Sequence, residues 1–193
     1  TRREMRVALP VVGALGVTFA LDSPTSDAVD RSLSKSGIQL SRDVADLADG
    51  AFSFGLPLIL WSVGRATDNP RLAETGGLMT QALLSSGIEV TVLKGITGRM
   101  RPFKEESGEF LGPGGGFFNR MSSRGDSFPS GHTVSAFAVA TVLAGRTDRK
   151  WVKWLAFGTA GMIAAARVTG EKHFPADVFA GATLGWAQGR LTL

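Results

Sequence analysis

Cysteine is absent from this 193-residue chain and histidine occurs only twice, as His132 and His173. Without cysteine there is no disulfide framework, no thiolate metal site and no cysteine nucleophile. Two isolated histidines form no HExxH pair and are too few for histidine-rich metal ligation. Long apolar runs are scarce as well. The nearly charge-free stretches Val7–Leu21, Gly50–Gly64, Thr75–Gly87, Ser127–Gly145, Trp154–Ala166 and Val178–Gly189 mostly have 12 to 15 residues, short of the roughly 20 that cross a bilayer comfortably. What the chain does have is a surplus of positive charge, +4 net with a pI near 10. That suits an anionic partner such as a phosphate ester or an acidic membrane surface. The basic residues are spread between motifs rather than gathered into a stripe, which argues against nucleic acid.

The length fits one domain, residues 1–193, with a substantial core. Ala, Leu, Met and Gly dominate the apolar runs and strand-like alternation is missing. Small residues recur at helix-packing distances, as in Gly158-x2-Gly161 and Gly181-x3-Gly185. The expected fold is therefore all-α: a single bundle of about six helices with the polar clusters, and hence the active site, at one end. The third run should continue helically through Val92-Leu93 into Lys94, and Pro57 should kink the second. In the polar, Asp-rich stretch 22–49, Ser41 is the expected helix cap. Residues 103–126 form the one long irregular stretch, rich in glycine, where Phe103, Phe110, Phe117 and Phe118 are candidates for an apolar lip.

Arg2, Arg3 and Arg6 precede the first run, and Arg146, Arg149, Lys150 and Lys153 lie between the fourth and fifth. In an even six-pass topology both groups face the cytoplasm and the polar clusters face outward. That predicts a cell-membrane protein with an extracytoplasmic site. If the first run is instead the remnant of a signal or anchor, the alternative is a soluble periplasmic or secreted domain. No pattern in the sequence sets an oligomeric state.

Three polar clusters carry the chemistry. In Lys94-x6-Arg101-Pro102, the proline should stop a helix that presents both cations near its C-terminus, which simple capping would also produce. Pro129-Ser130-Gly131-His132 precedes a clean apolar helix. Ser130 can cap that helix, its free N–H groups make an anion site, and Gly131 lets the backbone approach an oxyanion. An ordinary cap with a solvent-facing histidine is the bland alternative. In Arg167-x5-His173-x3-Asp177, His173 precedes Pro175 at a helix start, and Asp177 can turn back to hold one imidazole nitrogen. A surface His–Asp pair would look the same but would not explain the arginine before it. Two imidazoles, a carboxylate, a hydroxyl and three fixed cations are sufficient parts for phosphoryl transfer without a metal or other cofactor.

In this order and spacing the clusters resemble the three signature motifs of the type 2 phosphatidic acid phosphatase superfamily. That superfamily also contains class A acid phosphatases and vanadate-dependent haloperoxidases. The resemblance spans residues 94–177 and implies a metal-independent phosphoric monoester hydrolase acting on a lipid phosphate or pyrophosphate. It implies His173 as the nucleophile that forms a phosphohistidine, Asp177 as its orienting partner and His132 as general acid. Lys94, Arg101, Ser130, Gly131 and Arg167 would hold the phosphate. The family usually has serine before the last arginine; here it is Ala166, which removes one hydroxyl but no acid, base or nucleophile. A broad-specificity soluble acid phosphatase and a vanadate haloperoxidase are the alternatives, although nothing in the chain supplies an identifiable halide or peroxide site.

Overall fold

A computed structural model describes residues 2–103, 107–113 and 125–193, with side chains from residue 9 onward. The described residues form seven helices. They are α1 (Arg2–Ala20), α2 (Asp22–Ser32), α3 (Lys35–Ala66), α4 (Pro70–Thr97), α5 (Gly131–Gly145), α6 (Lys150–Thr169) and α7 (Pro175–Thr192). Six run along the bundle, as expected. The extra one, α2, is a short helix folded from part of the Asp-rich stretch.

Helix α5 is the centre of the bundle because it is apolar all round. Its Ala138, Val139 and Val142 pack on Met79 and Ala82 of α4, while Ala136 and Ala140 meet Ala156, Ala160 and Ile163 of α6. Its remaining side lies on α7, where Gly181, Gly185 and Gly189 clear a path for the α5 backbone. A Cβ at Gly185 would stand 2.3 Å from the Val134 carbonyl oxygen, so α5 and α7 touch backbone to backbone. This approach brings the mouths of the two helices that follow the histidine clusters together.

Two local expectations are corrected. Ser41 caps nothing: it sits inside α3 and donates to the Gly37 carbonyl, while Ser34 is the true N-cap and accepts from the Gly37 N–H at 3.2 Å. The helix starts earlier because Ile38 and Ala45 supply a buried face before and after Ser41. The helix of Lys94 also ends before Pro102. Gly98 adopts a left-handed conformation (φ 58°) after Thr97, and Arg99 forms an antiparallel bridge with Phe110. Arg101 therefore lies on an extended strap. The irregularity expected at Pro57 takes the form of a π-helical turn, Gly50–Gly55, that splits α3 into two arms.

Among the described residues one helix, Lys35–Ala66, is long and apolar enough to cross a membrane, and only 22% of its apolar window is buried in the protein. Leu58, Ile59, Trp61, Leu84, Ile88, Val92, Trp154 and Leu155 are all exposed on the bundle's flank, an apolar surface of a kind soluble monomers rarely show. All four tryptophans, at 61, 151, 154 and 186, lie toward the end away from the histidines, as in the aromatic belt at a membrane interface.

Candidate active site

Five chain segments meet at the mouth of the bundle. The last turn of α4 brings Lys94, the strap brings Arg101, the start of α5 brings Ser130 to His132, the end of α6 brings Arg167, and the turn into α7 brings His173 and Asp177. All eight residues singled out in the sequence lie at this end.

His173 is buried, and its Nδ1 lies 2.8 Å from the Ser127 carbonyl oxygen. A carbonyl only accepts, so Nδ1 carries the proton and Nε2 keeps its lone pair. Burial, set against the attraction of Asp177 and reinforced by Lys94 and Arg101, pulls the imidazole pKa down to about 4. The ring is therefore neutral at physiological pH. Asp177 does not hydrogen-bond the ring directly: its Oδ2 is 3.7 Å from Nδ1. That oxygen instead accepts from Ser127 Oγ at 2.6 Å and from the Phe174 N–H at 2.9 Å. Asp177 thus fixes the carbonyl-bearing residue and the helix mouth that together hold the imidazole.

Beneath Asp177 is a hub that no local pattern announced. Arg99 donates to Asp177 Oδ1 and to Asp22 Oδ2, both at 2.6 Å, and its guanidinium is sandwiched by Phe19, Phe110 and Phe174. Asp22 in turn accepts from the Ala176 N–H at 2.9 Å. The partner carboxylates lie 77 and 78 residues from Arg99, so sequence spacing carried no signal for them.

Ser130 occupies the N-cap position of α5 but makes no side-chain cap bond. Its buried hydroxyl accepts from Thr133 Oγ1 at 2.9 Å and keeps its own proton available. The first helical bond is Val134 N–H to the Ser130 carbonyl, which leaves the N–H groups of the preceding turn to face a ligand.

His132 stands at the same mouth with its side chain 36% exposed, its Nε2 3.4 Å from Asp46 and 3.8 Å from Asp49. Asp49 is buried and accepts a short hydrogen bond from Ser53. These two carboxylates on α3 were not read as site residues. Their three-residue spacing just before the π turn gives them one face, but only the packing of α3 on α6 aims them at the site.

The arginines are held ready by carboxylates. Arg101 makes a two-pronged pair with Asp126 at 2.7 and 2.8 Å. Burial would raise the Asp126 carboxyl, but Arg101, Lys94 and His173 together hold it below the usual range. Arg167 is buried and donates to Asp46 at 2.5 Å, while its Nε has no hydrogen-bond partner among the described residues. A buried guanidinium N–H left unpaired is costly, and an oxyanion in the pocket would satisfy it. Ala166 lies one position before Arg167 and is half-buried, so its missing hydroxyl belongs to this wall.

Phe103 and Phe110 are both partly exposed. Phe110 packs against Phe19 and Phe128, while Phe103 lies under Arg42 and Lys172. The proposed lip residues Phe117 and Phe118 fall outside the described residues.

Comparison with known proteins bears on the family and the fold. The family model described as the PAP2 superfamily matches residues 76–193. The crystal structure of Aquifex aeolicus LpxE superposes with a TM-score of 0.67 at 25% identity, covering 89% of this chain and 94% of that one. The transmembrane PAP2-type phosphatidylglycerolphosphate phosphatase of Bacillus subtilis superposes with a TM-score of 0.64 at 22% identity, covering 95% and 89%. Among curated proteins no sequence matches.

Proposed function

Because the chain belongs to the PAP2 superfamily, we propose that it is a metal-independent phosphatase that hydrolyses a lipid phosphate or diphosphate through a phosphohistidine. The observation that carries the reading is the pair of histidines in complementary settings at one anion pocket. One is a buried neutral imidazole with a free Nε2. The other is an accessible imidazole flanked by carboxylates.

The chemistry follows from these positions. A phosphoryl group enters against the free N–H groups of the α5 mouth and Ser130, and Arg167 turns its unpaired Nε to it. Lys94, Arg101 and Arg167 offset the charge that gathers on the equatorial oxygens during transfer. Nε2 of His173 attacks phosphorus, and His132, whose Nε2 lies beside Asp46 and Asp49, gives its proton to the departing oxygen. Water then cleaves the P–N bond with His132 as base. The Ser127 carbonyl holds Nδ1–H throughout and stabilises the imidazolium character of the intermediate.

The test is chemical trapping. Wild-type enzyme quenched with labelled substrate should carry acid-labile, base-stable phosphate, and His173→Ala should carry none. Label of equal yield on both would remove His173 as nucleophile.

The exposed apolar flank and the tryptophan end support a membrane protein whose histidine end faces away from the cytoplasm, with Arg146, Arg149, Lys150 and Lys153 retained inside. The native chain has no cysteine, so single introduced thiols report topology cleanly. Ser107→Cys should react with an impermeant thiol reagent in intact cells and Thr147→Cys should not; the reverse pattern would invert the orientation.

A further inference from the structure

Two cations stand beside the phosphate pocket and take no part in the chemistry above: Arg42, on the first arm of α3, and Lys172, the residue before the nucleophile. Both lie over one aromatic ring. The Arg42 guanidinium carbon is 5.8 Å and the Lys172 ammonium 5.1 Å from the Phe103 centroid. Phe103 directly follows Arg101-Pro102, so the ring sets the pair next to a cation of the pocket itself.

Each is fixed in place. Arg42 Nε donates to the Gly170 carbonyl at 2.7 Å and its Nη2 lies 3.7 Å from Glu171. Gly170 permits this contact, since a Cβ there would come within 3.0 Å of Arg42 Cγ. The Lys172 N–H donates to the Arg167 carbonyl, the same oxygen that accepts from the His173 N–H. The backbones of Lys172 and of the nucleophile therefore share one acceptor, while the ammonium itself rests on the Phe103 ring.

Burial, and then Arg42, Arg101 and Arg167, push the Lys172 ammonium below its usual range, with only Asp46 opposing them. Four side-chain cations converging on one mouth repel each other. One transferring phosphoryl group is already matched by Lys94, Arg101 and Arg167, so Arg42 and Lys172 are in excess of its needs.

Resting on the phosphatase reading above, we propose that Arg42 and Lys172, seated on Phe103, form a second anion subsite that binds the retained phosphate of a diphosphate ester. The substrate class is then a lipid diphosphate in preference to a monophosphate. Nε2 of His173 attacks the terminal phosphorus, and the bond from that phosphorus to the bridging oxygen breaks. Its electron pair leaves with the lipid monophosphate, whose former bridging oxygen takes the proton of His132. The monophosphate is held by Arg42 and Lys172 as it departs. Water then adds to the phosphohistidine phosphorus, its proton passes to His132, the P–N bond breaks toward nitrogen, and inorganic phosphate leaves.

The test uses the full chain in detergent and titration calorimetry with two probes, inorganic phosphate and the non-hydrolysable methylenediphosphonate. Wild type should bind the diphosphonate at least about tenfold more tightly than phosphate, as an added charge-assisted contact pair would give. Lys172→Gln and, separately, Arg42→Gln should each remove most of that preference, while Lys153→Gln, at the opposite end, should keep it. Equal affinity for the two probes in wild type, or a preference that survives both substitutions, overturns the subsite. Hydrolysis of a generic monophosphate ester is read on the same preparation. Turnover without a diphosphate preference removes the subsite alone, whereas no turnover of either a mono- or a diphosphate ester removes the phosphatase reading and the subsite with it.

Discussion

His173 is 2% exposed, whereas the side chain of His132 is 36% exposed, although both stand at the same end of the bundle beside the first turn of a helix. Around His173 every polar neighbour is itself tied down: Ser127 to Asp177, Asp177 to Arg99, Arg99 to Asp22, and Asp22 to the α7 mouth. Around His132 the contacts are longer, and Asp46, which also serves Arg167, is 62% exposed. A nucleophile needs one tautomer and one orientation, which a dry, hydrogen-bonded setting supplies. A general acid must gain and lose a proton every cycle, which requires contact with water. In the proposed mechanism the two halves of the site carry opposite tasks.

The sharpest way to break that comparison is to remove each imidazole in turn. His173→Ala should abolish turnover on every ester. His132→Ala should cost about 10²–10⁴-fold on esters with poor leaving groups and far less on esters with good ones, because only the former need the proton. Steady-state rates on a leaving-group series decide it; equal losses across the series would strip His132 of its role.

The buried half should also be the more fragile. Arg99→Leu strands two carboxylates and should destabilise the protein by about 3–5 kcal/mol, whereas Glu74→Gln, which loses only an exposed pair with Arg146, should cost less than about 1 kcal/mol. Thermal unfolding in one detergent would measure both. Similar losses would mean that the Asp22–Arg99–Asp177 hub contributes no more than a surface pair.

A smaller effect concerns pH. The fold holds His173 neutral down to about 4, below the ordinary histidine value of 6.5. Because the folded-state value is the lower one, the unfolded chain takes up the proton first. Stability from this group is complete above about 6.5 and is lost as the pH falls toward 4. Unfolding midpoints across that window should drop in wild type and drop less in His173→Gln. An equal slope in both would show that the imidazole ring is not held neutral.

Much of this was legible in the chain before its fold was known. The motif residues appear in order at the ends of apolar runs, and Gly, Ala and Leu within those runs admit helices only. Where the sequence misled, a tertiary cause is visible. The helix of Lys94 stops at Gly98 because the strap beyond it pairs with residues 109–111: the Met100 N–H donates to the Glu109 carbonyl, the Leu111 N–H to the Gly98 carbonyl, and Arg99 bridges to Phe110. Asp177 was expected to grip the imidazole from four residues away, yet the Ser127 carbonyl takes that place and Asp177 acts through it.

By itself the sequence determined the helical class, the bundle and the identity of the groups gathered at its mouth, since these depend on local propensity and on motifs whose spacing follows the helix ends. Only the tertiary structure decided how those groups are poised. Asp22, Asp46 and Asp49 carry no motif, and the 77 and 121 residues that separate Asp22 from Arg99 and Asp46 from Arg167 leave no periodic trace. Their roles exist because α2 and α3 pack across the mouth of the site. Which imidazole is dry, which arginine is already paired and which cations are left over are properties of that packing, because burial and charge proximity are set by neighbours in space rather than along the chain.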